Sequence, residues 1–318
     1  MEQNISSKVI STGTVQLSSM EDEVKKLELQ YAMDQIQHEE FVEKVVALGD
    51  AVENAKTIYG DTDDFHNFAV NYSRIGQSEM ACMIVELGLR QYPYSVDLLA
   101  DFLKYGSVTG KSDECEKCYK RLLELPDIKM TWRGYDFTVD YLLEKMKNAV
   151  TQEEADDNKR KIDDIIRRYK KRFPKSEDPY LSEAQVASFL GDEDRAVSVL
   201  KYAIENMAAP KCCLRYSDIM MEQGNYDEVI KAVQKGVSVS AQEQPGINIP
   251  YLFYLSGLAK DAKIHAEGAY ENKERIEDAY SDYRVADELF SSNRSTYIKN
   301  MKLRIRILEL KSGFVYKQ

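Results

Sequence analysis

The sequence has no apolar run approaching the roughly 20 residues that a helix needs to span a bilayer, which excludes a helical membrane span. Chain breakers are scarce, with 7 Pro and 15 Gly in 318 residues. Beside 43% hydrophobic and 31% charged residues, that scarcity suits long amphipathic helices with solvated outer faces. Lys and Arg are outnumbered by Asp and Glu, leaving a net charge of −11. This argues against a nucleic-acid backbone as partner. It favours solubility and, more weakly, a basic partner.

Catalytic signatures are missing too. There is no G-x-x-x-x-G-K, no G-x-G-x-x-G and no G-x-S-x-G. The three histidines, His38, His66 and His265, lack partners at metal or triad spacing, and His38-Glu39-Glu40 is not H-E-x-x-H. Cys115 and Cys118 form C-x-x-C, but inside a helical pattern and without a second pair. Cys212 and Cys213 are adjacent, which is poor geometry for two ligands on one metal. All five cysteines, Cys82 included, read as core thiols in a reducing compartment. Acidic pairs such as Asp63-Asp64, Asp156-Asp157 and Asp163-Asp164 read as solvated helix faces. The expectation is a cytoplasmic protein with no metal, no cofactor and no catalytic centre.

What the chain does have is a period. The residues that open the second helix of each hairpin are Ala81, Cys115, Ile162, Ala196, Val229 and Ala279, at intervals of 34, 47, 34, 33 and 50. Three intervals match a 34-residue helical hairpin within one residue. The others exceed it by 13 and 16. The excess falls in an acidic, turn-prone stretch at Val150 to Asp157 and in a charged helical continuation at Ala259 to Asn272. One hairpin cannot bury its apolar face, so stacking is obligatory.

The first unit runs Phe65, Phe68, Ala69 and Tyr72, then Gly76, Ala81, Val85, Gly88 and Pro93. The fourth has Tyr180, Ala184, Ala187, Gly191, Ala196, Leu200 and Ala203, and the fifth has Tyr216, Met220, Gly224, Val229, Val233 and Gly236. Aromatic and small residues in this order resemble the tetratricopeptide repeat family. The resemblance covers about residues 60 to 291. It implies an all-α solenoid of stacked antiparallel hairpins, a TPR-like superhelix that holds a polypeptide rather than transforming a substrate. Small residues would let helices approach, aromatics would fill the gap to the next hairpin, and Pro93, Pro126 and Pro174 would stop second helices. The 21 tyrosines fit the same packing role.

The expected organisation is a mobile tail over 1–19, an N-terminal helical cap over 20–59, about six hairpins over 60–291, and a closing helix over 292–318. The cap carries Val24, Leu27, Phe41, Val45 and Val52 at helical spacing, as one long helix or as a pair bent near Glu39-Glu40. Met1 to Ser19 is polar and lacks a signal peptide's apolar core. The last helix is basic through Lys299, Lys302, Arg304, Arg306 and Lys311.

In such a solenoid, first-helix residues line a concave groove. The candidates are Asp63, His66, Asn67, Val70 and Arg74 in the first unit, Asp97, Asp101 and Lys104 in the second, and Lys211, Arg215 and Asp218 in the fifth. Family members that grip a chain-terminal carboxylate use Lys, Arg and Asn on consecutive first helices. Here Asp97 and Asp101 oppose such a clamp. The expected function is a non-catalytic scaffold or adaptor with a peptide or protein in its groove. The alternative is a peptide-responsive sensor whose curvature changes and controls a partner.

Overall fold

A computed structural model describes residues 13–33, 35–243, 248–290 and Arg304. Fourteen α-helices are present among them, and consecutive helices pair as antiparallel hairpins. The chain divides into two compact units, one ending at Arg172 and the other starting at Phe173. The array expected over 60–291 therefore has hairpins in both units.

In the first unit, α1 (Leu17–Ala32) and α2 (His38–Glu53) form the N-terminal pair. The bend lies just before Glu39, so the cap is two helices rather than one. The tail reading fails for residues 13–19. Thr14–Gln16 forms β1, which pairs in parallel with β2 (Thr57–Tyr59) in the register Val15↔Ile58. Val15 and Leu17 are fully buried. Three-residue strands carry too little pattern to be legible in a sequence. Residues 1–12 of the expected tail lie outside the described residues.

The next hairpins are α3 (Thr62–Arg74) with α4 (Ser78–Gln91), α5 (Val96–Val108) with α6 (Ser112–Glu124), and α7 (Trp132–Lys147) with α8 (Gln152–Arg172). Their starts are fixed locally. The Asp61 carboxylate accepts from the backbone N–H of Asp63 and Asp64, and Asp64 returns the bond to Asp61, a complete capping box. Ser95 caps α5 and Thr131 caps α7, each hydroxyl accepting one backbone N–H, from Leu98 and from Gly134. Five of the repeat turns reverse on a glycine in the left-handed region, Gly76, Gly110, Gly191, Gly224 and Gly268. The α7/α8 turn has no such glycine. There α8, 21 residues long, begins at Gln152 with Glu153 and Glu154 in its first turn. The stretch expected to be turn is thus mostly the start of a lengthened helix, where carboxylates offset the helix dipole.

Within the first unit, apolar side chains of one hairpin face the next. Phe65, Phe68, Ala69, Tyr72, Ala81 and Val85 are all fully buried. Gly88 is required by close approach, because a Cβ there would lie 2.9 Å from Phe65 and 3.0 Å from Leu98. Tyr72 donates its hydroxyl to the Val45 carbonyl at 2.7 Å, tying the N-terminal pair to the first repeat. Tyr135 stacks on Tyr169 with centroids 4.8 Å apart, within the α7/α8 hairpin.

The second unit holds α9 (Asp178–Phe189) with α10 (Glu193–Asn206), α11 (Pro210–Glu222) with α12 (Tyr226–Glu243), and α13 (Asn248–Glu267) with α14 (Lys273–Phe290). Its core runs from Ala184 and Ala187 through Leu200, Cys212, Tyr216 and Val233 to Leu252. The excess length at Ala259 to Asn272 is, as expected, mainly helix, since α13 continues to Glu267. The closing helix over 292–318 lies outside the described residues except for Arg304.

Candidate functional site

Side chains on successive first helices meet at one repeat period. His66 on α3 and Asp101 on α5, 35 residues apart, share a 2.6 Å contact between Nδ1 and Oδ2. Thr131, the cap of α7, donates to Asp97 on α5 at 2.8 Å across 34 residues. In the second unit Lys211 on α11 donates to Asp178 on α9 at 2.7 Å across 33 residues. The Glu177 carboxylate accepts the Cys212 backbone N–H at 2.9 Å across 35 residues. Equivalent positions of neighbouring repeats are neighbours in space, so their polar contacts carry the period of the repeat.

In the first unit, Asp63 sits exposed in the first turn of α3 and Asn67 is exposed one turn on. Val70 is half-buried, and Arg74 is exposed in the last turn. Asp101 is wholly buried, whereas its place in the sequence pattern puts it on an open groove. Its reason for burial is the His66 contact, although its second carboxylate oxygen, Oδ1, has no hydrogen-bond partner. Burial raises the Asp101 pKa. The His66 hydrogen bond and charge and the Arg133 charge oppose the rise, and Asp97 adds to it.

Lys104 is exposed with its ammonium over two rings, 5.0 Å from the Phe137 centroid and 5.5 Å from Tyr105. Arg133 on α7 was not legible as a site residue. Its guanidinium lies 5.3 Å from the Trp132 ring centre and only at 4.0 Å from Asp97. The buried Tyr105 hydroxyl is pushed up to about 12 by burial, with Asp101 adding; a Ser73 hydrogen bond and the charges of Arg133 and Arg74 oppose the rise. One hydroxyl thus feels cations from α3 and α7 together.

The structure brings His66, Asp97, Asp101 and Lys104 together with Arg133. Lys211, Arg215 and Asp218 stand on α11 in the second unit. Arg215 and Asp218 are both half-buried, and burial raises the Asp218 pKa while Arg215 lowers it. A cleft of about 280 Å³ in that unit is lined by Ile230, Gln234, Lys260, Lys263, Arg275 and Asp278 among others. Its cations are engaged: Lys260 with Asp278 and Asp282, Lys263 with Asp227, and Arg275 with Glu267. Among the described residues no group of three or more His, Cys, Asp or Glu side chains could hold a metal ion. The five cysteines are all free and buried. No described helix is long and apolar enough to cross a membrane.

Stacked helical hairpins with this order of small and aromatic residues define a TPR-like helical repeat fold. No family model and no curated protein matches the chain. Similar solved structures include TTC0263, a thermophilic TPR protein of Thermus thermophilus, at 16% identity and a TM-score of 0.46, covering 64% of this chain and 98% of that one. Human IFIT1 in a dimer with PPP-AAAA matches at 14% identity and a TM-score of 0.40, covering 92% and 69%. The STAND protein PH0952 of Pyrococcus horikoshii, which has a tetratricopeptide repeat sensor, matches at 15% and 0.44, covering 87% and 43%. At these values the likeness is one of fold, and what IFIT1 holds is a property of that protein.

Proposed function

We propose that this chain is a non-catalytic protein–protein interaction scaffold or adaptor. It holds a peptide or protein partner on the first-helix faces of its hairpins, α3, α5 and α7 in the first unit and α11 in the second. The observation that carries this reading is the row of polar contacts at one repeat period. His66–Asp101 and Thr131–Asp97 fix side chains on three consecutive first helices before any ligand arrives. Preorganisation of this kind lowers the ordering cost of binding an extended segment. Partly buried groups such as Val70 offer apolar contact between the polar ones. The partner is a polypeptide rather than a nucleic acid, since the net charge of −11 gives no basic field to gather phosphates. A cytoplasmic setting fits five cysteines that are all unpaired.

The experiment is affinity capture from native lysate with the wild type and with Asn67→Ala/Arg74→Ala/Arg215→Ala. A protein retained by the first and lost by the second supports the reading. Identical recovery by both places the binding surface elsewhere.

A further inference from the structure

The loops that lead into the first helices of the first unit carry a period of their own. Tyr59 stands ahead of α3, Tyr94 ahead of α5 and Ile128 ahead of α7, at intervals of 35 and 34 residues. They are 59, 76 and 77% exposed, so none contributes much to the core. The three loops lie side by side. The Tyr92 hydroxyl donates to the Gly60 carbonyl at 2.8 Å and Gln91 Nε2 donates to the Ile58 carbonyl at 3.2 Å, which joins the first loop to the second. The Thr131–Asp97 bond joins the second to the third. With packed helices about 8–10 Å apart, the row is about 20 Å long. Exposed apolar side chains scattered singly are ordinary. Three at one repeat period along one edge form a continuous ridge.

The two ends of the ridge differ in charge. At the Tyr59 end, exposed Asp61 and Asp63 and half-buried Asp64 outnumber Lys56. Around Tyr94 the charges of Arg90 and Asp97 balance. At the Ile128 end, Lys129, Arg168 and Arg172 outnumber Glu124 and Asp127. Arg168 pairs with Asp127, and Arg172 Nη2 donates to the Ile128 carbonyl at 3.3 Å, so both guanidinium groups are held at that end. The ridge is therefore acidic at one end, apolar along its length and basic at the other. Such a row complements itself when a second copy is turned through half a revolution. A two-fold axis at Tyr94 sets the two Tyr94 rings together, each Tyr59 against the other copy's Ile128, and each acidic end against a basic one.

We propose that this ridge is the interface of a two-fold homodimer, in which two copies of the chain pair through the loops ahead of α3, α5 and α7. It uses the loop edge and not the first-helix faces. Covering the three side chains removes about 400 Å² from each copy, at about 200 Å² for a whole aromatic side chain. Pro93 and Pro126 are exposed in the same loops and bring the two-copy total to about 1,000 Å², the lower bound for specific association. A dimer of that size is reversible, with half-association in the micromolar range. Charge favours a second copy over an anionic lipid surface, which would meet Asp61 and Asp63 at one end.

The test is sedimentation velocity of the full chain across the micromolar range. The wild type shows a reversible monomer–dimer equilibrium. Tyr94→Ser/Ile128→Ser, at exposed positions, keeps the wild-type melting temperature and weakens the dimer roughly tenfold or more. Asp63→Lys and Lys129→Glu each weaken it roughly three- to thirtyfold, because each change acts at two symmetric contacts. Asp63→Lys/Lys129→Glu recovers the wild-type affinity, since both charges of each contact are exchanged. The charge exchange reads the interface independently of any loss of stability in the apolar variant. A wild type that stays monomeric throughout overturns the proposal. A dimer indifferent to Tyr94→Ser/Ile128→Ser places the interface elsewhere and overturns it too. Single charge changes that weaken the dimer without recovery in the double variant overturn the two-fold register. A monomer that pellets with phosphatidylcholine vesicles, and no longer does so as Tyr94→Ser/Ile128→Ser, overturns the dimer in favour of a lipid surface.

Discussion

The Asp101 carboxylate and the His66 imidazole join two hairpins through one 2.6 Å contact, with the acid fully buried and the ring nearly so. Removing the ring leaves a buried carboxylate whose only remaining opposing charge nearby is Arg133. His66→Ala is expected to cost about 3 kcal/mol, near the low end for breaking a buried pair because the ring is slightly exposed. His66→Ala/Asp101→Asn recovers more than half of that loss, since the charge goes with its partner. The His66→Ala deficit also shrinks as pH falls, because loss of the ring removes an influence that lowers the Asp101 pKa. Urea unfolding of the wild type and the two variants across acid pH checks all of this. Equal deficits in the single and double variants would refute the pairing.

Glu177 carries a second pH dependence. Burial pushes its carboxyl up to about 7, against the Cys212 backbone hydrogen bond that favours the charged form. The folded state then binds a proton more tightly than the unfolded chain, whose glutamate titrates near 4.5. The resulting stability is fully present below pH 4.5 and is lost as pH rises through about 7. The span corresponds to about 3 kcal/mol. Glu177→Gln keeps an acceptor for the Cys212 N–H and removes the titration. Its stability relative to wild type therefore increases between pH 5 and pH 8 by about that amount. A constant difference across that range would contradict the assignment.

Two glycines test two different requirements. Gly88 has ordinary room for its backbone but none for a side chain, with Phe65 and Leu98 within 3.0 Å of the point a Cβ would occupy. Gly88→Ala is an overpacking change expected to cost about 1–3 kcal/mol. Gly76 has open space but a φ of +78°. Gly76→Ala should cost about 1–2 kcal/mol, and Gly76→Asn less, because Asn tolerates the left-handed region. Thermal denaturation separates the cases: only at position 76 does Asn outperform Ala.

These positions also mark how far the sequence could be read. Ala81, Val85, Gly88 and Pro93 stand at fixed spacing because packing and turn chemistry are local, and local chemistry repeats with the hairpin. The helix bend before Glu39 and the continuation of α13 to Glu267 were within reach for the same reason. The fate of Asp101 was not. An exposed groove acid and a buried pairing acid have the same periodicity, and only the identity of the residue one repeat away distinguishes them. His66 to Asp101, Asp97 to Thr131 and Asp178 to Lys211 are separated by 35, 34 and 33 residues. Complementary polar residues one period apart are the signal that would have found them. Arg133 was missed because it lies beside Trp132 at the helix start, a position that apolar periodicity does not weigh.

Asp261 closes the second unit in a way that invites a sharper experiment. The carboxylate is almost completely buried on α13 and takes both Nε and Nη2 of Arg304 on one oxygen, at 2.7 and 2.6 Å. His265 lies 3.4 Å from the other oxygen and is itself bonded to the Tyr270 hydroxyl. Arg304→Gln leaves the buried charge with His265 alone and should cost about 2–3 kcal/mol. Asp261→Asn/Arg304→Gln should restore most of it, because two amides can still hydrogen-bond without an unpaired charge. Arg304 reaches α13 from 43 residues downstream. Urea unfolding of the wild type and the two variants checks this: a double variant as unstable as Arg304→Gln would mean that the unpaired Asp261 charge is not the source of the loss.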